Sequence, residues 1–600
     1  GGKRFNMRML RPDFNFSDRE LKQAADYLHD LGKRLYITVN NLYGNDDLSE
    51  IQDYLLFLQE IKADGLIIQD LAVAKIHREM GLTIPMHASV QMGIGSSSAV
   101  NFLESLGFSR VILSKNLNLQ EIEDIHSNSN LGLEFFAHGD MCISHTGQCL
   151  FSSLIAGESG NRGRCRKPCR WKYQLGRGNT LLPTGYYLAH KDLCLYPHLL
   201  ELVKAGIESF KIEGRMRDSD YLTFLVKTYR EALDRITQEP DIYHTDRNAM
   251  QNLQDKRVRD FNSAGLLGRI ELDSIGLDGS REPFFPTAPV KVVTLSANDF
   301  EPFHDTALSV PELIVKVGNL EALKKLKDQP IGYFILGLEK MQPGSRGWSW
   351  SELIEAMRYC QEQRLEYVIE TPRIVLQQDL ERIKGQLDRL GEYDGQAIMV
   401  NDLGTFQEGR GRGFTLYGGA GLNICNSQAG QLMIDQGLAR FTVSLESTFA
   451  DILALLASGM SVDVIVHGPQ RALITDLCLI KAAAGDAQKP CSVSCQEEGA
   501  FLIDELGQYY MIYSDDQCRN HIYLPNDICL YNYLPVLAKD AANGLRIEGQ
   551  YMPASDLYEV VSIYQEGLQQ LSQGRWEKEP YQRLLNCYPQ GLTSGCFVGR

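Results

Sequence analysis

Short apolar runs alternate along this chain with longer stretches in which apolar positions recur every three or four residues. In the second half the runs are LIVKV, YFILG, YVIET, AIMVN, FTLYG, RFTVS, VDVIVHG and GLRIEG, and amphipathic segments such as SWSELIEAMRYCQEQ lie between many of them. The runs predict strands and the longer segments predict helices. Eight strands alternating with helices predict a (β/α)8 barrel, with an open doubly wound sheet as the alternative. The first half supplies YITVN, GLIIQ, IPMHAS, RVILS, LEFFAH and SFKIEG. Counterparts of Leu313 to Leu336, two strands and a helix, do not precede Gly1. The expected fold is α/β, two tandem (β/α)8 TIM-like barrels of which the first lacks its first two strands. A first residue that is not Met points to a fragment.

The halves are related. The stretch LPTGYYLAHKDLCLYPHLLELVKAGIESFKIEGRMRDSDYL begins at Leu182, and DQCRNHIYLPNDICLYNYLPVLAKDAANGLRIEGQYMPASDL begins at Asp516. Both carry D-[LI]-C-L-Y, an amphipathic helix and [KR]-I-E-G in one order. Upstream, LEFFAHG matches VDVIVHG and LGFSRVILS matches QGLARFTVS, at offsets that stay between 326 and 335 residues. This is a diverged tandem duplication. It divides the chain into a first barrel over 1–240, a connector over 241–310 punctuated by GSREPFFPTAP, and a second barrel over 311–600.

Composition narrows the class. Hydrophobic residues at 44% with 23% charged residues are those of a soluble globular protein, and 600 residues call for more than one core. No apolar run is long enough to cross a membrane and no signal peptide opens the chain, so the expected location is cytoplasmic. A net charge of −16 disfavours a broad nonspecific grip on nucleic acid and leaves room for a local basic patch. Fourteen cysteines without a secretory signal point to metal ligation or redox chemistry rather than a disulfide scaffold.

Barrel enzymes carry their functional groups at the carboxyl ends of strands. In the first half those ends hold Asn40, Asp70, His87, Lys115, His138 and the trio Lys211, Glu213 and Arg215. Singly, each has a structural reading, as a wall histidine or an ion pair. Beside them lie Cys142, Cys149, Cys165 and Cys169, spaced C-x6-C-x15-C-x3-C. Four thiolates satisfy tetrahedral zinc or an iron–sulfur cluster. Arg162, Arg164, Arg166, Lys167, Arg170 and Lys172 surround the last pair. Such charge would stabilise thiolates and attract an anionic substrate. The second half retains Cys478, Cys491 and Cys495 at C-x12-C-x3-C, with Cys518 as the nearest fourth ligand, while Arg471, Tyr417 and Gln550 replace Cys142, His87 and Arg215. Cys194 and Cys529 occupy equivalent positions and read as packing residues.

The stretches EFFAHGDMCISHTGQCLFSSLIAGESGNRGRCRKPCRWKY, HASVQMGIGSSSAVNF and KDLCLYPHLLELVKAGIESFKIEGRMRDSDYL resemble the collagenase-like peptidase family (unassigned-peptidase family 32). The resemblance is close over the first half and looser over the second. It implies hydroxylases of a tRNA wobble uridine, of a ribosomal RNA cytidine or of the ubiquinone ring. It further implies a 4Fe–4S cluster on Cys142, Cys149, Cys165 and Cys169, and prephenate as a partner of oxygen-independent hydroxylation. The second half's C-x12-C-x3-C is similar to the partner subunit of the quinone-hydroxylating pair. The peptidase name finds no H-E-x-x-H and no G-x-S-x-G in this chain. A Cys/His protease based on His138 or His145, and a noncatalytic scaffold that recruits RNA or a protein, are the other readings. The leading expectation is an enzyme that hydroxylates a nucleobase in structured tRNA or ribosomal RNA. In it, His87, His138, Lys211, Glu213 and Arg215 hold a small anionic cosubstrate and move protons, and Arg162, Arg164 and Arg170 serve the cofactor and phosphate.

Overall fold

The computed structural model describes residues 1–600 apart from 216, 283–293, 343–346, 394–396, 485–494, 496–497, 541 and 597–600. In the second half the apolar runs pair side by side, all parallel, as Glu312–Val317, Tyr333–Gly337, Tyr367–Glu370, Ala397–Val400, Thr415–Gly418, Leu438–Thr442, Val462–Gly468 and Gly544–Glu548. The last pairs with the first, Ile314 opposite Arg546, so the sheet closes into an eight-stranded barrel. Buried on both faces, these strands have no polar side to alternate, which is why they read as continuous apolar runs.

The first half is an arc. Tyr36–Val39, Gly65–Ile68, Met86–Ala88, Phe108–Ile112, Gly132–Gly139 and Ser209–Ile212 pair in that order, all parallel. Among the described residues no strand joins Ser209–Ile212 to Tyr36–Val39, so the expected barrel is an open sheet of six parallel strands here. The N-terminal segment crosses the open side. Asn40 N donates to Phe5 O at 3.1 Å, and the Phe5 ring packs on Tyr43 and Tyr54.

The two halves meet about a local pseudo-twofold. Helix Leu71–Glu79 packs on Ser427–Asp435, and Ser97–Ser105 on Leu403–Arg410, each pair joining one helix to the duplicate of its own neighbour. The polar contacts repeat in both directions. Ser97 N donates to Gln377 Oε1 at 2.8 Å and Ser427 N to Asn45 Oδ1 at 3.0 Å. Gln378 N donates to Glu121 Oε1 at 3.1 Å and Asn45 N to Asp451 Oδ1 at 3.2 Å. Duplication supplied one surface twice, and a self-complementary surface closes on its own copy as in a dimer.

An antiparallel sheet spans the junction. Arg471–Thr475, Asn520–Tyr523, Tyr509–Asp515 and Ala500–Ile503 come from the second half. Gln174–Arg177 from the first half adds beside Ala500–Ile503, with Leu175 opposite Leu502. Trp171, Tyr173, Leu502, Tyr510 and Ile512 are buried in one core beneath it. The connector divides its contacts: Phe261–Asn262 pairs with Asp192–Leu193 of the first half, and Phe303–His304 with Arg575–Trp576 of the second. Much of its proline-rich punctuation falls in 283–293, outside the described residues. Among the described residues no helix is long and apolar enough to cross a membrane.

Candidate active site

Strand Gly132–Gly139 delivers the chain to the mouth of the arc and then turns sharply. Gly139 has φ +126°, and a Cβ there would lie 2.6 Å from Glu213 O, so this crossing between two strand ends requires glycine. Gly468 repeats it in the second half, with φ +120° and Glu548 O at 2.6 Å. Beyond Gly139 the loop carries Cys142 and Cys149, then returns with Cys165 and Cys169.

All four thiols line one cavity of about 310 Å³. Among the described residues only Glu339, Asp515 and His521 bring three His, Cys, Asp or Glu ligand atoms within 4.8 Å of one another, so no three of these sulfurs do. A tetrahedral zinc site would hold thiolates about 3.8 Å apart, from a Zn–S length of about 2.3 Å. A four-iron cluster spreads its thiolates to about 7 Å, so it does not call for three of them within 4.8 Å of one another. Burial raises the thiol pKa of Cys142, Cys149 and Cys169, the last to about 12, and the neighbouring thiols raise them further. Three neighbouring thiols that resist ionisation suit a site completed by metal cations, and theirs is the wrong environment for a lone nucleophilic thiolate.

The same cavity is lined by Asn40, Lys115, Lys211, Glu213 and Arg215, so five of the strand-end residues converge with the thiols. Lys211 Nζ lies 3.1 Å from Glu134, and Lys115 Nζ 3.7 Å from Glu213. Arg215 is held by neutral amides, Asn6 Oδ1 at 2.8 Å and Asn15 Oδ1 at 3.0 Å. Burial, with Arg8 close by, lowers its pKa, as befits a cation that lacks a paired carboxylate. Such a group is disposed to take an anion.

Other expected residues lie elsewhere. His138 is buried against the helix Ser219–Gln238, its Nδ1 3.1 Å from Tyr229 Oη and its Nε2 3.3 Å from Tyr221 Oη. A register shift between Phe136 and His138 turns the ring out of the mouth. Burial lowers its pKa to about 3. His467 repeats the arrangement with Tyr564 and Tyr588, so this histidine belongs to the architecture of both halves. The His87 ring lies tilted against Tyr36, 4.9 Å between centroids, and does not line the cavity; burial and Arg110 lower its pKa to about 4.

The arginine loop is also committed. Arg162 reaches Asp451 of the second half at 2.8 Å, and Arg164 and Arg166 pair with Glu158. Arg170 lines the cavity but is pinned between Glu282 at 2.6 Å and Asp140 at 3.1 Å. Two further residues belong to the site: Arg8, which pairs with Glu213, and Asp140, which gathers Lys167, Arg170 and Arg259. No motif marks Arg8; Asp140 was findable as the residue that follows the shared H-G. The loop is anchored from across the junction. Glu446, fully buried, accepts from Asn161 Nδ2 at 2.6 Å, Ser159 Oγ at 2.7 Å and Ser153 Oγ, while Asp476 Oδ1 lies 3.0 Å from His145 Nε2.

Of the second thiol set, Cys491 lies outside the described residues. Cys478 caps helix Leu479–Ala483, accepting from Lys481 N, and packs with Cys495 against the junction core. Cys518 sits in a hairpin turn at φ +60°, its carbonyl accepting from Arg269 at 2.7 Å, and Arg269 feels both Cys518 and Cys478 electrostatically.

The family model for peptidase family U32 matches residues 1–274 and 318–600. The "23S rRNA 5-hydroxycytidine C2501 synthase" of Escherichia coli is 33% identical over 37% of this chain and 34% of its own length. The "tRNA hydroxylation protein P1" of Bacillus subtilis is 27% identical over 44% of this chain and 64% of its own. The "Collagenase" of Porphyromonas gingivalis is 28% identical over 38% and 58%. The chain thus spans between about a third and two thirds of the length of these relatives.

Proposed function

Starting from a chain that belongs to peptidase family U32, we propose that its first half is an iron–sulfur hydroxylase of a nucleobase in tRNA or ribosomal RNA. The observation that carries this reading is the convergence of Cys142, Cys149, Cys165 and Cys169 with Lys115, Lys211, Glu213 and Arg215 on one cavity. Relatives named for tRNA and rRNA hydroxylation support the reaction class. The arc of six strands then corresponds to most of a barrel.

The four cysteines would hold a 4Fe–4S cluster, which supplies one-electron chemistry at the mouth. The chain's own groups do the rest. Arg215 and Lys115 bind an anionic cosubstrate, for which a prephenate-like dicarboxylate is a fitting class. Glu213, whose pKa Arg8 and Lys115 hold below the usual carboxylate range against burial, stays ionised and orients those cations. Lys211 stands where a proton must be delivered at the strand end, its ammonium set by Glu134. Cys478, Cys491, Cys495 and Cys518 form a second candidate ligand set, tested by iron beyond that lost with the first.

A peptidase built on Cys142, Cys149 or Cys169 is disfavoured by the raised pKa of those thiols. The test is mass spectrometry of RNA nucleosides from cells lacking the protein. One hydroxylated nucleoside should disappear, return with the wild-type gene, and fail to return with Cys165→Ser. Unchanged nucleosides in the deletion strain would reject RNA as the substrate.

A further inference from the structure

The second barrel has a mouth of its own, and its charges have been relocated rather than erased. At positions equivalent to Lys115, Asp140 and Arg215 stand Leu445, Pro469 and Gln550, yet cations appear at new places: Arg373 follows the third strand, and Arg471 replaces Cys142. Lys316 and Arg546 close on Glu370 and Glu548, with Lys316 Nζ 2.5 Å and Arg546 Nη2 2.8 Å from Glu370. That leaves Glu339 against two guanidinium groups. Glu339 Oε2 takes Arg471 Nη2 at 3.0 Å, while Arg471 Nη1 is buried with no hydrogen-bond partner among the described residues.

Arg373 is the surplus cation. Its Nε donates to Gln148 Oε1 at 2.7 Å, its terminal nitrogens donate to no described residue, and no described carboxylate forms an ion pair with it. Burial, with Arg471 alongside, brings its pKa down to about 10, the mark of a guanidinium short of counter-charge. Both arginines line one small cavity at the barrel mouth, roofed by Gln148 and Leu150 from the cysteine loop of the first half.

We infer that the second barrel's mouth is a binding site for a small oxyanion, carboxylate or phosphate, held between the terminal guanidinium nitrogens of Arg373 and Nη1 of Arg471, whose Nε donates to Tyr523 Oη at 3.2 Å. The two terminal nitrogens of Arg373 suit the planar pair of oxygens on a carboxylate and equally two oxygens of a phosphate, with Arg471 Nη1 as a further donor. The cavity is too confined for a polynucleotide strand. Because Gln148 contacts Arg373 and adjoins Cys149, an anion here touches the loop that carries the thiols. The site needs no cluster and no RNA, so its test is independent of the proposed hydroxylation.

Isothermal titration calorimetry of the full chain, in chloride buffer free of other oxyanions, would use succinate and inorganic phosphate as separate probes. At least one should show a saturable component that weakens about tenfold or more in Arg373→Gln, the scale of one charge-assisted contact. That component should persist in Arg215→Gln, which alters the first mouth only. A melting temperature near wild type establishes that Arg373→Gln is folded; if it is not, Gln148→Ala, which frees the Arg373 side chain, should still shift the affinity. The two probes distinguish carboxylate from phosphate. Absence of saturable binding by either, or a full set of components surviving in folded Arg373→Gln, would overturn the inference.

Discussion

His138 shows how a residue chosen for chemistry can belong to structure. It stands at a strand end beside the thiols, yet the irregular register ahead of it sends the ring outward to Tyr229 and Tyr221. Its folded pKa of about 3 lies below the ordinary histidine value of about 6.5, so the unfolded chain takes up the proton first. His467 behaves alike. The stability each contributes is complete above about pH 6.5 and is lost as pH falls toward 3, at no more than about 1.4 kcal/mol per pH unit per histidine. Urea midpoints between pH 7 and 5 should fall accordingly, and His138→Gln should flatten that slope.

At the scale of elements, the strand–Gly–loop unit sets the site. Gly139→Ala forces a side chain onto Glu213 O at a positive φ, and Gly468→Ala does the same at Glu548. Each should cost about 1–3 kcal/mol in thermal or urea unfolding. Gly139→Ala should also reduce the iron held by Cys142, Cys149, Cys165 and Cys169, because Gly139 leads directly into the loop that carries them. The strands themselves were legible, since burial on both faces leaves continuous apolar runs. The junction sheet was not. Tyr509–Asp515 alternates, but its partner Ala500–Ile503 pairs on its other side with Gln174–Arg177, a strand far away in the chain that no local pattern reveals. The four thiols and the Lys211–Arg215 trio were legible because spacing and strand position are local. Arg8 was not, because only folding brings the N-terminal segment across the open side to Glu213.

Across the whole molecule, the second half acts as the template on which the cysteine loop is laid. Glu446, Asp451 and Asp476 reach over the junction to Asn161, Arg162 and His145. Glu446→Ala strands the buried Ser153, Ser159 and Asn161 donors, a loss of about 2–4 kcal/mol that should also lower iron content without touching a first-half residue. The central claim is that Cys142, Cys149, Cys165 and Cys169 hold one iron–sulfur cluster. The most direct measurement is iron and acid-labile sulfide per chain, after purification without oxygen, in the wild type and in Cys165→Ser. The account predicts that the substitution removes about four irons and four sulfides. One zinc per chain with no iron, or metal content unchanged by Cys165→Ser, would contradict it.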